Sequence, residues 1–168
     1  MSDLAKLYRP ALALTLLGLA ACVEQTTTTA TPEASAESAA PLAISAQDPS
    51  LQWGPCPDIF PAGCEITVLR GDPAQPNADV FLRAPGGYNF PAHSHTSAER
   101  MILVSGQMRV RYEGAPEALL NAGQYAFGPA GLPHDASSLS ADTCTLFIAF
   151  VGPVDAMAHD GPIGAAPE

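Results

Sequence analysis

The stretch PAHSHTSAERMILVSG, residues 91–106, sets two of the chain's four histidines two positions apart and places a glutamate four positions after the second, at the head of an apolar run. On extended backbone, residues i and i+2 leave the same face. His93 and His95 therefore point together at one object. Thr96, Ser97 and Ala98 give the chain room to turn before Glu99 opens ERMILVS. With Glu99 facing inward, Met101 and Leu103 share its face, as the interior of a barrel requires.

Working outward, the sequence from Glu65 to Val151 consists of short β-rich segments punctuated by turns. EITVLRG (65–71), ADVFLRA (78–84), ERMILVS (99–105), QMRVRYE (107–113), GQYAFGP (123–129) and TCTLFIAFV (143–151) each have strand length and aliphatic or aromatic enrichment. Gly86-Gly87, Ser105-Gly106, Asn121-Ala122-Gly123 and Pro129-Ala130-Gly131 separate them. No helical period of useful length runs between Leu51 and Pro153. The expected fold is all-β, a small antiparallel sandwich or barrel. Alternation along QMRVRYE puts Met108, Val110 and Tyr112 on the inner face and Arg109 with Arg111 in solvent.

Gly87, His93, His95, Glu99 and Gly106 satisfy G-x(5)-H-x-H-x(3)-E-x(6)-G, the first cupin motif, at every fixed position. Gly123, Pro129, Gly131 and His134 meet the second, G-x(5)-P-x-G-x(2)-H-x(3)-N, with Ser138 in place of its closing Asn. From residue 87 to 138 the chain thus resembles the cupin superfamily. The resemblance implies a compact jelly-roll barrel in which His93, His95, Glu99 and His134 converge inside the barrel mouth on a metal. Three neutral imidazoles and one carboxylate suit a divalent Fe, Mn, Co, Ni, Cu or Zn ion and are the wrong donors for Ca or Mg. Four protein donors on a six-coordinate ion leave two positions for water, substrate or dioxygen. Tyr88, Phe90, Met101, Tyr125 and Phe127 are candidate pocket walls. Arg83, on a segment with no clear polar side, is a candidate clamp for a substrate carboxylate. Asp135 stands where it could orient His134, although an exposed carboxylate is the simpler reading, and His159 reads as solvated.

The ends of the chain carry other signals. Residues 1–22 hold Lys6 and Arg9, the apolar run ALALTLLGLAA, and LAAC closing at Cys22, the layout of a secretory signal. The run is too short to cross a bilayer. Leu19-Ala20-Ala21-Cys22 resembles the lipobox of bacterial lipoproteins, which implies lipid on Cys22. Val23 follows where an Asp would resemble the inner-membrane retention signal of enteric bacteria, so for a Gram-negative organism the resemblance implies outer-membrane anchoring with the domain facing the periplasm. Residues 23–49, nearly all Thr, Ala, Ser, Pro and Glu, read as a flexible tether. A cupin domain is expected over 50–155 and a flexible tail over 156–168.

The full chain carries a formal charge of −10. Without Lys6, Arg9 and Asp3, five arginines face sixteen acids and no lysine remains, so a nucleic-acid partner is excluded on charge. With Cys22 given to lipid, Cys56, Cys64 and Cys144 remain. Export allows a disulfide, and Cys56 with Cys64, in the Pro- and Gly-rich loop WGPCPDIFPAGCEI, is the expected pair among three possible ones. Cys144 lies in an apolar run and reads as a packed thiol.

Two functions fit these residues. One is a small-molecule metalloenzyme of oxygenase, isomerase or decarboxylase type. The other is a non-catalytic metal-binding or ligand-sensing module of the cell envelope, superficially similar to the zinc-binding cupin domains of anti-sigma factors but lacking their helical region. Pairing of two copies through outer sheets is compatible with both.

Overall fold

The computed structural model describes residues 41–164. The signal of residues 1–22, the lipidation site Cys22 and most of the tether lie outside the described residues. In chain order the strands are β1 (Gly54–Pro55), β2 (Glu65–Arg70), β3 (Asp79–Ala84), β4 (Asn89–Ser94), β5 (Glu99–Ser105), β6 (Gln107–Tyr112), β7 (Ala118–Asn121), β8 (Tyr125–Gly128), β9 (His134–Ser138), β10 (Cys144–Phe150) and β11 (Met157–Ala158). They form two antiparallel sheets, ordered β1-β2-β3-β10-β5-β8 and β11-β4-β9-β6-β7. No helix forms among the described residues. The architecture is the all-β jelly roll that the motifs imply.

Period-two alternation builds the interior. Along β5 the buried residues are Glu99, Met101 and Leu103, while Arg100, Ile102 and Val104 face out. Along β6 they are Met108, Val110 and Tyr112. These meet Val80, Leu146, Ile148 and Phe150 of the larger sheet and Phe90, Leu120 and Ala136 of the smaller one in a single apolar core. Leu103 and Met108 are sealed from solvent, each contributing about 1.5–3 kcal/mol of transfer free energy. The β5–β6 turn needs a glycine. Gly106 has φ +86°, and a Cβ there would meet the Cys144 sulfur at 2.5 Å.

Five strands lie outside the segments picked by their aliphatic content. β9 (HDASS) and β7 (ALLN) are too polar or too short to stand out, and β4 contains Pro91. That proline sits where the β4–β9 register shifts between Phe90 and His93, a break in the ladder that tolerates a missing N–H. β1 and β11 are two residues each. The segment after Asp155, expected to be a flexible tail, instead places β11 against β4, buries Ile163, and donates the Gly164 N–H to the Glu113 carboxylate at 2.7 Å. Backbone pairing and one apolar anchor hold it down.

Cys56 and Cys64 form the disulfide, with Cα atoms 5.4 Å apart. The loop it closes carries Phe60, whose ring meets Phe90 edge-on at 5.6 Å and His93 at 4.8 Å. Cys144 is a buried free thiol that accepts from the Ser138 hydroxyl at 2.9 Å. Ser138, at the motif's Asn position, is therefore part of the packing beneath the β5–β6 turn.

Candidate metal centre

Strand register brings the motif residues together. His93 at the end of β4 is paired with His134 at the start of β9, and His134 is paired in turn with Tyr112 at the end of β6. His95 follows β4 by one residue. On the facing sheet, Glu99 opens β5, opposite Phe150 on one side and Gly128 on the other. The three imidazoles enclose one volume: ring centroids are 4.2 Å apart for His93 and His134, 4.9 Å for His93 and His95, and 5.2 Å for His95 and His134. Their ligand nitrogens lie within 4.8 Å of one another. One Glu99 oxygen, Oε2, stands 3.4 Å from His95 Nε2 and 3.8 Å from His134 Nε2.

Each imidazole is oriented by the backbone. His93 Nδ1 donates to Pro91 O at 2.7 Å, His134 Nδ1 to Leu132 O at 3.2 Å, and His95 Nδ1 to Asp155 O. A proton fixed on Nδ1 leaves the Nε2 lone pair free to face inward. An ion bonded at about 2.0–2.2 Å to each donor spans roughly 4.4 Å between opposite ligands. The three histidine nitrogens come close to that span, while Glu99 stands near His95 and His134 and outside the group of three.

Burial sets the protonation states. It holds the His93 imidazole down to about 3, helped by the neighbouring His134, and the His134 imidazole down to about 4; His95 moves the same way for the same reason. All three are neutral donors at physiological pH. Burial, then the charge of Asp155, pushes the Glu99 carboxyl up to about 8. Without a cation, a carboxylate here has lost its water and gained no counter-charge. A divalent ion held by the three imidazoles and this carboxylate would supply that charge, and three neutral nitrogens with one oxygen suit a borderline transition metal and not Ca or Mg.

Around the cluster is a cavity walled by apolar side chains, among them Phe60, Phe90, Met101, Val110, Ile148 and Phe150. Phe90 and Met101 take their expected places. Tyr88 is buried but lies behind Phe90, rings 4.7 Å apart, with its hydroxyl donating to Pro61 O. Tyr125 and Phe127 do not reach the cavity and are more than half exposed. The register explains this correction: Tyr125 pairs with outward-facing Ile102 and Phe127 with Arg100, and directly opposed residues share a face. Arg83 is corrected likewise. Leu82, one residue earlier, turns inward to the cavity, so Arg83 faces out, bonded to Glu65 at 2.7 Å and stacked 4.0 Å over the Trp53 ring. The Asp135 carboxylate does not orient His134, whose Nδ1 donates to Leu132 O, and pairs instead with Arg111, whose Nε donates to it at 2.9 Å.

Three contributors carry no motif signal. The backbone carbonyl of Asp155, 60 residues from His95, accepts that histidine's Nδ1–H. Phe60 caps His93 from the disulfide loop. Tyr112, readable from the alternation of β6 only as a core residue, stacks on His134 at 5.0 Å; burial, then the charge of Glu99, raises its phenol well above the usual range.

The family model described as the ChrR cupin-like domain matches residues 43–154. No curated protein is detectably similar to the chain in sequence. Among solved structures, that of the DMSP lyases RdDddP and RnDddQII superposes with a TM-score of 0.58 at 22% identity, over 66% of this chain and 63% of that one. The DMSP lyase DddQ of Ruegeria pomeroyi gives 0.55 at 21%, over 67% and 64%. The oxalate decarboxylase of Lactobacillus farciminis, in a formate complex, gives 0.53 at 19%, over 65% and 34%. The chain spans just under two thirds of the length of the two lyase structures. At these identities the likeness is one of fold.

Proposed function

This chain belongs to the ChrR cupin-like domain family, and on that premise we propose that it holds one divalent transition metal through His93, His95, Glu99 and His134 and uses it on a small molecule, as an oxygenase-, isomerase- or decarboxylase-type metalloenzyme. The observation that carries this reading is the convergence of three backbone-oriented, neutral imidazoles and one desolvated carboxyl in an apolar cavity. When bound, the metal supplies Lewis acidity and open positions for a ligand. The protein's part is to hold the donors, exclude water with Phe60, Phe90 and Phe150, and limit what enters. The test is elemental analysis of the protein purified without added metal, followed by turnover assays on small organic acids. Stoichiometric metal that His93→Ala and His134→Ala both lose, with the fold retained, supports the site. Turnover that follows the metal supports catalysis.

A second reading is a binding or sensing module of the cell envelope. The cavity favours it, because beyond the four donors its lining offers only Tyr112 and Asp155 as ionisable groups, a sparse set for acid–base chemistry. Tight zinc with no turnover under any metal would select it.

We also propose that the domain is exported and tethered to the outer membrane through lipid on Cys22, facing the periplasm. Support comes from Lys6, Arg9, the apolar run and LAAC, and from the Cys56–Cys64 bridge, which suits an oxidising compartment. Cys22→Ser should abolish fatty-acid labelling and release the protein from membranes. Pairing of two copies across the outer face of the larger sheet is supported by outward Ile102, Val104, Tyr125 and Phe127, and light-scattering mass of wild type against Ile102→Asp tests it.

A further inference from the structure

The Tyr112 hydroxyl is buried and no atom of the described residues accepts its proton. It lines the same cavity as the four donors. Its oxygen lies 3.0 Å from the point a Cβ on Gly128 would occupy, and Glu99 Oε2 lies 3.1 Å from that same point. With no side chain at Gly128, the phenol and the Glu99 carboxylate flank one point at the cavity wall. A buried phenol without a partner costs stability that phenylalanine would not. Tyr88, the other buried tyrosine among the described residues, donates to Pro61 O. Tyr112 is the exception, and it is the one that faces the site.

The cavity's size and charge define what could accept that proton. Its volume is about 60 Å³, room for roughly four to six waters. Among the described residues that line it there is no Arg or Lys. A divalent ion with three neutral imidazoles and ionised Glu99 carries one net positive charge, which an apolar cavity holds poorly. A small monoanion cancels it. With Arg83 turned away to Glu65 and Trp53, such an anion finds one hydrogen-bond donor besides the metal.

We propose that Tyr112 is the ligand-binding residue of this centre, its hydroxyl donating to an oxygen of a small monoanionic oxygen donor of the carboxylate class seated beside Glu99. This rests on the metal reading above and deepens it by naming the ligand class.

The test uses the full chain loaded with Co(II), whose visible absorption reports its ligands, titrated with formate. Wild type takes up one cobalt and its spectrum shifts saturably with formate. Tyr112→Phe keeps its cobalt affinity within about twofold but binds formate about tenfold or more weakly, the loss of one hydrogen bond to a charged acceptor. A second arm needs no variant: in infrared difference spectra of wild type, bound formate shifts a tyrosine C–O stretch. Full cobalt uptake with equal formate affinity in Tyr112→Phe, or an unmoved tyrosine band, overturns the assignment alone. Cobalt binding without any formate response overturns the ligand class. Failure of wild type to take up cobalt overturns the metal reading, and this inference with it.

Discussion

His95 donates its Nδ1 proton to the backbone carbonyl of Asp155, and the Asp155 carboxylate returns to the neighbouring residue, accepting the Thr96 N–H at 2.9 Å and the Thr96 hydroxyl. Chain from beyond β10 thus fixes the tautomer and tilt of His95, one residue past β4, and β11 continues the grip by pairing with Ser94 and His93. Asp155→Ala removes the carboxylate contacts and frees the carbonyl to drift. We expect metal affinity, measured by chelator competition, to fall about tenfold while the metal-free fold persists. Unchanged affinity would show that His95 needs no such brace.

Stability and metal affinity should depend on pH in opposite halves of the neutral range. The folded His93 and His134 values, about 3 and 4, lie below their unfolded 6.5, so the unfolded chain binds more protons there and stability is lost as pH falls from about 6.5. Glu99, at about 8 against 4.5 unfolded, holds its proton more tightly when folded, so it costs stability as pH rises from about 4.5 to about 8. Three lowered histidines outweigh one raised carboxyl below 6.5, and the carboxyl acts alone above it. The thermal midpoint of metal-free protein should therefore peak near pH 6.5. Metal binding must eject the Glu99 proton, so apparent affinity should climb about tenfold per pH unit from 6.5 to 8. Glu99→Gln should bind metal more weakly and without that slope. A flat profile in wild type would mean Glu99 is not a ligand.

Much of this was legible because the motif spacings and the strand period act over short distances. Glu99, Met101 and Leu103 face inward because β5 alternates, and His93 and His95 converge because they are two residues apart. What sequence hid was lateral register. Tyr125 and Phe127 have the composition of pocket walls, yet pairing with Ile102 and Arg100 turns them to solvent and leaves Gly128 facing the donors. Arg83 reads as ambiguous until Leu82 takes the inner face. Asp155 is beyond any local pattern, since its contact with His95 spans 60 residues.

The disulfide should matter to the site as well as to the fold. It closes a loop of sequence separation 8, for which loop-closure entropy gives about 2.5 kcal/mol. The same loop holds Phe60 over Phe90 and His93. The double variant Cys56→Ser, Cys64→Ser should therefore lose about that much in denaturant unfolding and, under conditions where it remains folded, exchange its metal with chelator faster than wild type. Equal exchange rates would show that Phe60 does not guard the centre.

Gly128 gives the sharpest steric test. It faces the cluster across from Glu99, and a single methyl added there would sit 3.0 Å from the Tyr112 oxygen, 3.1 Å from Glu99 Oε2 and 3.6 Å from the Met101 terminal methyl. The first two are tighter than ordinary contacts and involve groups held by packing, so Glu99 or the phenol must give by a few tenths of an ångström. Its backbone is not in the left-handed region, so alanine brings no conformational penalty there. Gly128→Ala should fold with nearly wild-type stability, bind metal at least about tenfold more weakly because one of four donors is displaced, and lose any response to formate. Wild-type metal affinity in this variant would argue against a Glu99 ligand held tightly beside Gly128.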